Sequence, residues 1–104
     1  MIHVWLRCML TPGQFTSEYA VSAQQADGTG FSLFAPNNLV WLGQEPTHEQ
    51  PAQGLLRVEK WDTKGDLVLI RLPSETLEDA AQFVTVKSTQ LDSHPPALSP
   101  SVAP

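Results

Sequence analysis

Basic residues are scarce in this chain. Lys and Arg together number six, against eleven Asp and Glu, for a formal net charge of −5 over 104 residues. They form no run, so the counterion replacement by which proteins hold phosphate backbones has no source here, and no nucleic-acid partner is expected. An anionic membrane surface is disfavoured for the same reason. Long apolar runs are missing too: none approaches the ~20 residues of a spanning helix, so no direct membrane insertion is expected. Cysteine is reduced to Cys8, which excludes an internal disulfide and fits a reducing, cytoplasmic compartment.

The opening stretch MIHVWLRCML is apolar enough to be tested as a signal peptide. Its basic residue sits inside the apolar run instead of ahead of it, and no small-residue cleavage site follows. His3 and Arg7 interrupt it at alternating positions, as in a strand. The other end, DSHPPALSPSVAP, has four prolines and no apolar periodicity. The expected division is therefore one β domain over 1–90 and a disordered Pro/Ser-rich tail over 91–104, whose removal from Asp92 onward should leave stability unchanged.

What is present is a period-two pattern. Ile2, Val4, Leu6, Cys8 and Leu10 share one face of a strand; His3, Trp5, Arg7 and Met9 share the other. Phe15, Tyr19, Val21 and Ala23 form the next apolar face. Asp27-Gly28 marks a tight hairpin that pairs 31–35 with 15–24. In FSLFAPNNLVWL, a Pro-Asn-Asn break precedes Leu39 to Leu42, which are apolar on both faces. That leaves open what covers the second one. Residues 43–53 form a long loop, and LLRVEKWDTKGDLVLIRL forms a second hairpin turning at 63–66. SETLEDAA, 74–81, carries a helical spacing with Ser74 as cap, and QFVTVK is the last strand. The expected fold is all-β: a small antiparallel barrel or sandwich of six to seven short strands with one short helix.

The residue types that carry catalysis are poorly placed. Cys8 belongs to the apolar set, and His3 leaves the strand on the opposite face, so no thiol–imidazole pair forms. His3, His48 and His94 lack metal-ligand spacing. Gly28 and Gly30 lie in a hairpin and cannot cradle a phosphate as a strand-to-helix turn does. Glu75, Glu78 and Asp79 suit the start of a helical turn. No catalytic residue, cofactor or metal is expected, and the chain reads as a non-enzyme. Trp5, Arg7, Phe34 and Trp61, by contrast, fall on faces opposite the expected core. Tryptophan and arginine in that setting are the residue types of protein interfaces, which makes these four the candidate partner-binding residues.

The stretches GQFTSEYAV, FSLFAP and WDTKGDLVLIRLP together resemble small proteins of cyanobacteria and chloroplasts, in particular the subunit V family of the photosynthetic NDH complex. The resemblance spans residues 1 to about 90 and carries no catalytic signature. It implies a non-catalytic peripheral subunit, bound to other protein subunits near a ferredoxin-docking site and supporting cyclic electron transport. Such a subunit would be cytoplasmic or stromal and associated with the thylakoid through its partners. A transient assembly factor or small regulatory binding module is the alternative reading.

Overall fold

In the computed structural model, which describes residues 2–95, the alternation of β1 (Ile2–Pro12) sends Val4, Leu6, Cys8 and Leu10 to the interior. Its long antiparallel partner, β5 (Ala52–Lys64), places Val58, Leu56, Gly54 and Ala52 opposite those four in turn. Residues paired across an antiparallel ladder share a face, so the inner sides of both strands are apolar together. At Gly54 a Cβ would collide with the Leu10 side chain and lie 2.5 Å from the Trp41 carbonyl oxygen. Glycine is what lets a third strand approach here.

That strand is β4 (Val40–Leu42), which pairs with residues 54–56 of β5. β2 (Glu18–Gln24) and β3 (Gly30–Pro36) make the first hairpin. Its turn uses Gly28 at φ +90° and the Asp27 carboxylate, which accepts the Thr29 N–H at 2.9 Å. β5 and β6 (Leu67–Arg71) make the second, with Gly65 at φ +63° and a bulge between Lys60 and Asp62. β7 (Phe83–Lys87) and β8 (Leu91–Asp92) complete the set. The order is β3-β2-β1-β5-β6-β7, with β8 against β1 and β4 against β5, in an all-β antiparallel sheet curled into a half-barrel. Of the eight strands, the three-residue β4 is the short strand expected at 39–42, and the two-residue β8 is additional to the expected set.

The curl encloses one core. Val21, Phe31 and Leu33 meet Leu6, Leu10 and Leu56 from one side, and Val68, Ile70, Leu72, Val84 and Val86 from the other. Ala26 N–H donates to the Thr85 carbonyl at 2.8 Å, tying the first hairpin to β7 across the open side.

Three expectations need correction. Residues 74–81 form a string of turns instead of a helix, and helical backbone among the described residues is confined to single 3₁₀ turns at Asn37–Leu39 and Ser88–Gln90. The reason is the bare edge of β3. Ser74 Oγ donates to the Phe34 carbonyl at 2.6 Å, the Leu77 N–H donates to the Ser32 carbonyl at 2.8 Å, and the Ser32 N–H donates to the Glu78 carboxylate at 2.8 Å. An eight-residue helix is marginal alone, whereas an uncovered strand edge leaves polar groups without partners. The edge wins. Buried Thr76 then fixes the turn by donating to Asp79 and accepting the Ala81 N–H.

Phe15 is the second correction: it lies before β2 and is 70 % exposed, in a loop held by Glu18, whose carboxylate accepts the N–H groups of Gln14 and Phe15. The third is the domain boundary. Leu91 pairs with Leu6 and packs on the core, and Asp92 pairs with Trp5. The tail expected from residue 91 thus contributes a strand, while its remainder from 96 on lies outside the described residues.

Two outcomes follow from these contacts. Ending the chain at Gln90 removes Leu91 from the core and Asp92 from Arg7, and should cost about 1–3 kcal/mol in denaturant unfolding. Glu78 is held below the ordinary glutamate range by the Ser32 hydroxyl and N–H. A depressed carboxylate stabilises the fold above its unfolded-state pKa, and this contribution is lost as pH falls through the folded-state value. Glu78→Gln should therefore flatten the acid side of the stability–pH profile, just below the normal glutamate range.

Candidate interaction face

The outer surface of the half-barrel is built by the residues that alternate with the core. On β1 these are His3, Trp5, Arg7 and Met9; on β5 they are Gln53, Leu55, Arg57 and Glu59. The register joins them into rows. Arg7, Leu55 and Trp41 form one, Asp92, Trp5 and Arg57 a second, and His3, Glu59, Arg71 and Phe83 a third. Trp61 joins the last row at the bulge. Its ring meets Phe83 edge-to-face at 5.0 Å and 89°, and its indole N–H donates to Glu59 at 3.3 Å.

All three tryptophans and all three arginines of the chain therefore project from one side of the sheet. The apolar strand β4 divides in the same way. Val40 and Leu42 turn inward opposite Leu56 and Gly54, and Trp41 turns outward over Leu55, which is consequently buried.

Charge on this face is arranged in pairs. Arg7 donates from Nε and Nη2 to the two Asp92 carboxylate oxygens, each at 3.1 Å, and this contact raises the Arg7 pKa above its ordinary value. The Arg57 guanidinium donates to His3 Nδ1 at 3.2 Å, so that nitrogen carries the lone pair and Nε2 carries the proton facing Glu59 at 3.7 Å. Arg71 lies 3.8 Å from the same carboxylate. The cluster of Arg7, Arg57 and Arg71 with Glu59 and Asp92 sums to one positive charge, on a chain whose total is −5.

Among the four residues expected to bind a partner, Trp5 and Arg7 are neighbours on β1, and Trp61 stands on the same face, 45 % exposed. Phe34 also points outward but is half-buried on β3. It is level with Thr11, about 20 Å along the strand from Trp5, and does not join their patch. Arg57, Arg71, Trp41 and Phe83 belong to the face and were not singled out in the sequence. The parity that selected Trp5 also selects Arg57 and Phe83, whereas Trp41 needed the position of β4.

Between the β2–β3 hairpin and the β1–β8 pair the sheet opens into a groove of about 1330 Å³. Met9, Trp41 and Leu55 supply apolar wall; Gln24, Gln53 and Gln90 supply amides; Glu78 and the Arg7–Asp92 pair stand at its rim. Cys8 reaches this groove from beneath but is 7 % exposed, and burial pushes its thiol up to about 12. It is protonated at neutral pH and weakly nucleophilic. Among the described residues no group of three His, Cys, Asp or Glu side chains is placed to hold a metal ion, and no helix is long and apolar enough to cross a membrane.

No protein-family model, curated protein or solved structure matches the chain.

Thiol reagents should label Cys8 at the rate of unfolding and far more slowly than a free thiol. Cys8→Ser should cost about 1–3 kcal/mol in equilibrium unfolding, since the hydroxyl enters an apolar site. Rapid labelling in native buffer would contradict the buried assignment.

Proposed function

We propose that this chain is a non-catalytic docking module, held through its outer sheet face as a peripheral subunit of a larger protein complex. The observation that carries the reading is the segregation of every tryptophan and every arginine onto one side of the half-barrel. These residue types supply most hot spots at protein interfaces, since each offers a large contact area together with directed hydrogen-bond donors. The pairing of Arg7 with Asp92 and of Arg57 with His3 presents the guanidinium groups in fixed orientation, which lowers the entropy lost on docking.

The complex we assign is of the photosynthetic NDH kind, on the strength of the strand and turn pattern set out above. In that setting the module supports ferredoxin-dependent cyclic electron flow by docking onto neighbouring subunits. Its place is cytoplasmic or stromal, peripheral to the thylakoid. A transient assembly factor would use the same face and differs in stoichiometry alone.

The test is co-purification of the tagged chain from its own cells under native conditions. A subunit stays with its complex in equal amount; an assembly factor is found with immature complexes and leaves. Trp5→Ala and Trp61→Ala should each weaken recruitment by about 2 kcal/mol or more. Trp61→Ala also removes the contact with Phe83 and should lower folding stability by about 1 kcal/mol. If both substitutions leave recruitment unchanged while the chain stays folded, the docking face is wrongly assigned.

A further inference from the structure

We infer that the groove between the β2–β3 hairpin and the β1–β8 pair is a binding site for a neutral oligosaccharide. This site shares Arg7 and Trp41 with the outer face but not Trp5, Trp61 or Arg71, and it does not rest on the docking reading.

The argument begins with what lines the groove and what remains unpaired there. Trp41 turns outward over Leu55, and its indole offers an apolar face to the groove beside Gly43, which has no side chain to stand against the ring. Among the described residues its indole N–H has no hydrogen-bond partner. Half-buried tryptophans normally find one, and a ligand acceptor would supply it. The Gln53 amide and the Ser22 hydroxyl likewise line the space without side-chain partners among the described residues. Amides and hydroxyls donate and accept at once, which matches hydroxyl groups that do the same.

Charge narrows the class further. Two carboxylates, Glu78 and Asp92, face the groove, and its one arginine is spent on Asp92 through two hydrogen bonds. A phosphate or another polyanion would meet more negative charge than positive. Glu78 is itself engaged with the Ser32 hydroxyl and N–H, so it is not free to capture a cation. A purely apolar ligand would leave the side chains of Gln24, Gln53 and Ser22 desolvated without compensation. The remaining class is neutral, rich in hydroxyls, and has one apolar face to lie on an indole. The volume of about 1330 Å³ exceeds what a single drug-sized molecule fills, which favours several linked units over one sugar.

The experiment titrates the full chain with maltohexaose, cellohexaose and chitohexaose separately, followed by calorimetry and by two-dimensional amide spectra. The expected result is saturable binding of at least one at micromolar to millimolar concentration, with shifts centred on Met9, Trp41 and Gln53. Trp41→Ala should weaken it about tenfold or more, and Gln53→Ala should weaken it measurably, with each variant's melting temperature recorded first. If Trp41→Ala does not fold, Gln53→Ala and Trp41→Phe carry the test. Trp61→Ala should leave it unchanged. Absence of saturable binding for all three hexaoses overturns the proposal. So does binding that survives both groove substitutions, or binding of a proline decapeptide in place of every hexaose.

Discussion

The ladder between β1 and β5 is the interaction on which the rest of the molecule depends. Its register runs from Ile2 opposite Lys60 to Leu10 opposite Ala52, and a slip of one residue would send Val4, Leu6, Leu56 and Val58 to the outside. Each of the two strands then carries neighbours on its free edge in two segments. β1 holds β8 at residues 5–6 and β2 at residues 9–12; β5 holds β4 at 54–56 and β6 from 59 onward. Long central strands with divided edges let so short a chain wrap a core without a second sheet. The break between β8 and β2, next to Cys8, is also where the groove opens.

The same ladder fixes the outer face. Trp5 and Arg57 stand opposite each other because Leu6 and Leu56 do, and the alternation of the pleat leaves no independent choice. Burying Leu6 and Leu56 therefore sets the aromatic and guanidinium spacing on the other side. Trp61 is the exception, since it stands at the bulge, where the pairing advances from Lys60 opposite Ile70 to Asp62 opposite Leu69. Bulges turn a side chain away from the regular grid, and this one is accompanied by the contact with Phe83 that gives Trp61 a fixed position.

Much of this was legible in the alternation of single residues. Val4, Leu6, Cys8, Leu10, Val21, Leu33, Val68 and Ile70 are buried where period two places them, and both hairpin turns lie at the Asp-Gly and Lys-Gly positions. The parts not legible depend on partners distant in sequence. Residues 74–81 have a helical spacing, yet Ser74, Leu77 and Glu78 are drawn to a strand edge some 40 positions away, and a local pattern carries no record of that edge. Leu91 and Asp92 sit beside a proline-rich stretch and look like its beginning. Their places were already defined by Leu6 and Arg7, a fact visible only once β1 has a free edge. Period two also identifies an outward residue without saying how far it stands from another, so it does not separate Phe34 from Trp5.

A chain of net charge −5 that gathers its arginines on one face divides its electrostatics by distance. The five-residue cluster of arginines and carboxylates sums to +1, so the rest of the chain carries a net −6. At separations beyond about 10 Å in physiological salt these fields are largely screened, and what persists favours basic or neutral partners. At contact the balance would reverse for an acidic partner, because the guanidinium groups of Arg57 and Arg71, desolvated among the tryptophans, would meet its carboxylates directly. An acidic partner would approach slowly and be held by short-range pairs; a neutral one would be held by the tryptophans. Docking within an assembled complex suits that division, since its components are already concentrated beside one another and long-range attraction contributes little to finding the site.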